Sequence, residues 1–204
     1  MQGLEPVFYI VILIFSVVLH EVAHGFAALR FGDETALRQG RLTLNPIKHL
    51  DPIGSVALPL LLILTNAGFV IGWAKPVPYD PRNIRPFRLG TLAVASAGVL
   101  VNFLLALLFG LALRFMPPGS LSPAMETVFG SIVLINIVLG VFNLIPIPPL
   151  DGSKILFALL PYRLARYEQA ITAYSFIFLL IFIFFLWQYL VPVVGFIYSL
   201  ITGA

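Results

Sequence analysis

Five apolar runs, at residues 6–29, 53–73, 89–113, 127–147 and 171–189, alternate with polar connectors, and a shorter sixth run covers 191–201. About 20 apolar residues are enough for a helix to cross the hydrocarbon core of a bilayer, so the pattern predicts membrane helices. Periodicity within each run says little, because a helix surrounded by lipid is apolar on every side. The sixth run is too short to cross alone and begins beside the helix breaker Pro192. Two connectors have extended character. RLTL at 41–44 alternates polar and apolar residues ahead of the turn signal Asn45-Pro46, and GFVIGWAKPVP at 68–78 is β-branched, glycine-punctuated and proline-rich. Both are expected to form short β-strands near one membrane face.

Composition agrees with the runs. Of 204 residues 60% are hydrophobic and 10% charged, against about 25% charged in soluble domains. The expected fold is an all-α polytopic membrane protein, a single domain over 1–204 with a core at 7–154 and a C-terminal membrane segment at 169–204. With no cysteine in the chain, thiolate chemistry is excluded and any metal must be held by His, Asp or Glu. The net charge of +3 comes from basic residues scattered singly through short loops. No nucleic-acid patch is expected, and the lipid bilayer is the expected surrounding. Residues 1–5 hold no Lys or Arg, and the run that follows is longer than a signal-peptide core, so no cleavable signal is expected there.

HEVAH, at 20–24, places three ionisable residues inside the first run. On a helix His20 and His24 are one turn apart on one face, where two neutral imidazoles can chelate one zinc ion. Glu21 follows the first ligand and can reach a water on the metal without ligating it. The bland alternative is a polar cluster gluing helices together, but an ionisable residue within a span is a functional candidate by default. A catalytic zinc usually needs a third protein ligand. Most acidic residues have the setting of solvated loop charges. Asp151 differs, because it follows FNLIPIPPL, where Pro146, Pro148 and Pro149 break the helix and demand an extended chain at membrane depth. It is the best third ligand, with His49 as the runner-up. Asn102 and Asn143 are amides within apolar runs, suited either to interhelical hydrogen bonding or to orienting substrate and stabilising an oxyanion.

HEVAH, AGVLVN at 97–102 and NLIPIPPLDG at 143–152 together resemble the site-2 protease family of intramembrane zinc metalloproteases, peptidase family M50. RLTLNPIKHLDPIGS and GWAKPVPYDPRN are similar to the short prokaryotic members without a PDZ domain. The resemblance runs from about Val7 to Lys154. It implies His20, His24 and Asp151 as ligands of one Zn2+ per chain, Glu21 as general base, and a transmembrane protein as substrate. Val99 stands where the family often has proline after the glycine, a departure expected to alter local helix geometry.

The metal assignment constrains topology. His24 lies six residues before Arg30, roughly 9 Å from that end of the first helix at 1.5 Å per residue. Asp151 must finish on the same side, which fails if residues 53–73, 89–113 and 127–147 all cross. It succeeds if 53–73 dips in and returns. With all runs crossing, the basic residues divide five against seven. With 53–73 re-entrant, every one except Arg114 shares a side, eleven against one. The positive-inside rule therefore predicts four spans plus one re-entrant segment, with the active site towards the cytoplasmic side of a prokaryotic inner membrane. The expected activity is zinc-dependent hydrolysis of peptide bonds within or near transmembrane segments. The main rival is a metal-ion transporter using the same ligands, for which Glu21 beside the first histidine has no purpose. A di-iron oxidase would need more than the three histidines present, and the intact ligand set argues against a catalytically dead scaffold.

Overall fold

The computed structural model describes residues 5–65, 73–117, 119–161 and 171–204. In chain order the elements are α1 (Glu5–Arg30), α2 (Thr35–Arg38), a 3-10 turn (Pro46–His49), a π-helical turn (Pro52–Ala57) leading into α3 (Leu58–Leu64), and a second 3-10 turn (Pro81–Asn83). Then follow α4 (Phe87–Phe115), α5 (Pro123–Asn143), α6 (Asp151–Leu159), and α7 (Ser175–Ile181), joined to α8 (Trp187–Thr202) by a π-helical turn at Phe182–Leu186. Among the described residues four helical stretches are long and apolar enough to cross a membrane: Phe8–Arg30, Phe87–Phe115, Pro123–Asn143 and Ser175–Thr202. Large side chains such as Phe8, Phe15, Leu104, Leu108 and Phe184 point outward. Exposure on this scale suits lipid, not water.

α4 is the central helix, packed against α1, α5, α6 and α8. Its buried stripe of Gly90, Val94, Gly98, Asn102, Ala106 and Gly110 recurs every fourth residue and is built largely of small side chains, which lets neighbouring helices approach closely. Ala106 joins Val133, Ile137 and Val141 of α5 and Val194 and Ile201 of α8 in the main apolar core.

Two expectations need correction. Among the described residues there is no β-strand. Residues 41–44 are irregular, and although they lie beside 75–76, no ladder forms: Pro76 and Pro78 lack the N–H a ladder needs. The Arg41 guanidinium instead donates to the carbonyls of Lys75 and Pro76 at 3.0 and 3.2 Å. Residues 66–72, which hold the first part of the second expected strand and the far part of the re-entrant run, lie outside the described residues, as do 169–170 at the start of the C-terminal segment. Pro192, in turn, does not end the last helix. It lies inside α8, which continues to Thr202. Membrane helices tolerate such a residue where neighbouring helices support them.

The flanks of the 53–73 run meet. Trp73 N–H donates to the Gly54 carbonyl at 3.2 Å, and the Ser55 hydroxyl donates to the Trp73 carbonyl at 2.7 Å. Lys75 N–H reaches the His49 carbonyl at 2.8 Å. The chain thus leaves and rejoins the same cluster of loops. The far end of α1 belongs to that cluster. Gly32, at φ +99°, reverses the chain in the left-handed region open to glycine, and Asp33 N–H closes the helix onto the Ala28 carbonyl at 2.9 Å.

Candidate metal centre

His20 and His24 lie on the buried face of α1, only 6% and 7% exposed. Asp151 arrives from elsewhere. α5 ends at Asn143, and residues 144–150 form a series of bends and turns, where the prolines led us to expect extended chain. Leu150 N–H bonds back to the Ile147 carbonyl at 3.0 Å, and α6 opens at Asp151 itself. Gly152 makes this path possible, since a β-carbon there would run into the Leu144 and Ile145 carbonyls. At the other end of α6, Arg88 of α4 holds the last carbonyls, Ala158 at 2.6 Å and Leu160 at 3.0 Å.

Three atoms converge. Asp151 Oδ2 is 3.1 Å from His20 Nε2 and 3.0 Å from His24 Nε2, and the two Nε2 atoms are 3.0 Å apart. Their partners identify which ring nitrogens carry protons. His24 Nδ1 faces the Val94 carbonyl at 2.7 Å, which can only accept. His20 Nδ1 faces Asn102 Oδ1 at 2.6 Å. Both Nδ1 atoms are therefore donors, and in the neutral imidazoles that a metal requires both Nε2 atoms present lone pairs. Asp151 Oδ2, buried without a hydrogen-bond partner, presents another. Three mutually facing lone pairs without an intervening proton repel unless a cation lies among them. Two imidazole nitrogens and one carboxylate oxygen are a zinc ligand set, and a tetrahedral zinc shell has ligand separations of roughly 3.3 Å. The residues fit the ion.

Glu21 lies outside this trio, half-buried on the same helix. Its Oε2 accepts the Val77 N–H at 2.8 Å, so the 73–80 stretch touches it at Val77. Asp33 anchors that stretch. It is 1% exposed, not the solvated loop charge its sequence setting suggested. Oδ1 accepts from Thr35 Oγ1 at 2.6 Å and Asn83 Nδ2 at 2.9 Å, and Oδ2 from Asp80 N–H at 2.8 Å. Burial pushes its pKa up, but the hydrogen bonds from Asn83, Thr35 and the Asp80 backbone outweigh that and hold it below the ordinary carboxylate value.

His49 and Asn143 are engaged elsewhere, whereas Asn102 supports the candidate ligand His20. His49 is buried and donates Nε2–H to the Thr43 carbonyl at 2.8 Å, fastening its own loop. Asn143 Nδ2 donates to the Leu139 carbonyl of its own helix at 3.0 Å. Asn102 is fully buried, with its oxygen on His20 and its amide nitrogen on Asn136 Oδ1 at 2.9 Å. Sequence reading passed over Asn136. It also missed Lys154, whose Nζ lies 3.4 Å from Asp151 Oδ1; the three-residue spacing on one helix was the available signal. Beside the His20–His24 turn an open apolar cavity of about 370 Å³ is walled by Leu19, Ala23 and Phe26 of α1, Leu42 and Leu44, and Val101 of α4.

Comparison with known proteins places this geometry. The model of "Peptidase family M50" matches residues 119–184, the stretch that carries α5, the proline-rich turns and Asp151. A Bacillus subtilis protein named "Putative zinc metalloprotease YwhC" is 39% identical over 183 residues, covering 86% of this chain and 80% of its own. Rip2 of Mycolicibacterium smegmatis, named in the same way, is 37% identical over 142 residues, 67% of this chain and 51% of its own. Rip2 of Mycobacterium tuberculosis is 31% identical over 172 residues, 81% of this chain and 62% of its own. The chain thus spans most of YwhC but only part of either Rip2. No solved structure matches. With a relative this similar along four fifths of its length, and with the family model matching the segment that delivers Asp151, the chain belongs to peptidase family M50.

Proposed function

We propose that this membrane-embedded zinc metalloprotease hydrolyses peptide bonds within or near the transmembrane segments of membrane-protein substrates. One zinc ion per chain is held by His20, His24 and Asp151, and Glu21 is the general base. The observation that carries this reading is the convergence of three potential ligand atoms, two Nε2 atoms and Asp151 Oδ2, within 3.0–3.1 Å of one another. Zinc in that position supplies a Lewis acid that polarises the scissile carbonyl and makes a water a usable nucleophile near neutral pH.

The chain's own groups do the rest. The Val77 N–H orients the Glu21 carboxylate through one oxygen. The other oxygen is left to take a proton from water as its oxygen bonds to the carbonyl carbon. Glu21 then delivers that proton to the nitrogen as the C–N bond breaks. Burial of His20, His24 and Asp151 keeps bulk water from competing with substrate. The open apolar cavity beside the His20–His24 turn receives an apolar side chain of the substrate. The clustering of basic residues in the loops at this end supports a cytoplasmic orientation in a prokaryotic inner membrane.

The rival of a different class, a metal transporter with the same ligands, is separated by Glu21→Gln. Purified in detergent and offered a single-span membrane protein, the variant is expected to keep one zinc per chain while cleavage falls at least about 100-fold, the scale of a lost general base. Unchanged cleavage overturns the mechanism, and zinc flux through the variant at the wild-type rate favours the transporter.

A further inference from the structure

A line of hydrogen bonds runs from α5 through α4 to the metal-facing imidazole on α1, and its polarity is fixed at the α5 end. Asn136 has one side-chain atom 2.9 Å from the Ile132 carbonyl. A carbonyl only accepts, so that atom is Nδ2, which also donates to Ser16 Oγ at 2.9 Å. Oδ1 of Asn136 must then face Asn102, at 2.9 Å. That acceptor turns the Asn102 amide so that Nδ2 points to Asn136 and Oδ1 points to His20 Nδ1, at 2.6 Å. His20 Nδ1 carries the proton as a result, and Nε2 is bare toward Asp151. Asn136 and Asn102 are 0% exposed, Ser16 4% and His20 6%, so water has little room to stand in for any member of the line.

From this polarity we infer that Asn136 is a positioning residue for the zinc site: by orienting the Asn102 amide it holds His20 in the one tautomer that can ligate. The inference rests on the zinc reading above and deepens it. Simple helix glue has no need of a direction, because amides bridging α1, α4 and α5 would hold those helices in either orientation. Only one orientation leaves a lone pair on His20 Nε2. Without the Asn136 acceptor, the Asn102 amide can rotate by half a turn and present Nδ2 to His20. Nδ1 must then accept, Nε2 takes the proton, and the ligand is lost.

The test is zinc affinity of the full chain in detergent micelles, measured by competition with graded chelators, with a circular-dichroism melt as the check on folding. Asn136→Leu keeps the volume and removes the acceptor. It is expected to weaken zinc binding roughly 10–100-fold, the usual cost of losing support behind a ligand. The decisive variant adds Asn102→Asp to Asn136→Leu. A carboxylate offers His20 an acceptor in either orientation, so affinity should return to within about threefold of wild type. Wild-type affinity in Asn136→Leu overturns the inference. So does a loss that Asn102→Asp does not restore, which would make Asn136 a packing residue only. A wild-type chain that binds no zinc overturns the metalloprotease site itself; a zinc-binding wild type with an indifferent Asn136→Leu overturns this inference alone.

Discussion

Gly98→Ala is a one-carbon perturbation aimed at the centre of the site. Gly98 lies on α4 one turn before Asn102, and a β-carbon built there falls 2.5 Å from His20 Cε1 and 2.6 Å from both Nε2 atoms. Carbon and nitrogen without a bond between them settle near 3.5 Å. The methyl group or the rings must therefore give way by roughly 0.9 Å. The rings have little freedom, because each is held through Nδ1, His20 at 2.6 Å by Asn102 and His24 at 2.7 Å by the Val94 carbonyl. α4 is equally confined, packed against α1, α5, α6 and α8. Zinc–ligand distances tolerate only about 0.2 Å, and the methyl group also covers the lone pairs. We expect zinc affinity to fall at least about 100-fold, or roughly 2.8 kcal/mol. Overpacking should lower fold stability by about 1–3 kcal/mol. Chelator competition reads the first number and a thermal melt the second. A variant that binds zinc as tightly as wild type would refute the packing of α4 on the imidazoles.

Gly152→Ala places its methyl group against the Leu144 and Ile145 carbonyls, backbone atoms that cannot swing aside; zinc binding should be lost and the melt lowered, and normal zinc content would refute the turn geometry. Asp33→Asn removes the oxygen that accepts the Asp80 N–H, so chemical or thermal melts should show a loss of about 1–3 kcal/mol. Because the Asp33 pKa is lowered from its ordinary 3.8, its contribution is complete above that pH and is lost as pH falls through the lower folded value. The acid-side loss of stability should shrink in Asp33→Asn, and an identical acid profile would count against it. A reporter fused near Pro78 should read cytoplasmic, since the bonded flanks of the 53–73 run put it on the same side as the basic loop after α1; an external signal would contradict the arrangement.

What the sequence disclosed was local or compositional. The pairing of His20 with His24 follows from helix spacing alone, and the prolines before Asp151 announce a break at membrane depth. Run length alone marks five candidate spans, and the distribution of basic residues is what sets 53–73 apart from the other four. What stayed hidden depends on distant partners. Asp33 resembles a solvated loop charge until Asn83 and the Asp80 N–H, nearly fifty residues on, converge on it. Asn136 looks like any polar residue in a helix, and its importance lies in an amide 34 positions away. The alternation of RLTL reads as a strand, but pairing needs a partner with free N–H groups, and a proline-rich neighbour lacks them. Pro192 reads as a stop because local propensity cannot weigh the packing of Val194 and Ile201 that carries α8 past it.

The central claim is that His20, His24 and Asp151 together hold one zinc ion. X-ray absorption at the zinc edge of the purified full chain tests it most directly. One zinc per chain is expected, with two imidazole nitrogens at about 2.0–2.1 Å and carboxylate oxygen at about 2.0–2.2 Å, and with the two-imidazole signature reduced to one in His24→Ala. Zinc bound with no imidazole signature, or a signature unchanged in His24→Ala, would contradict it.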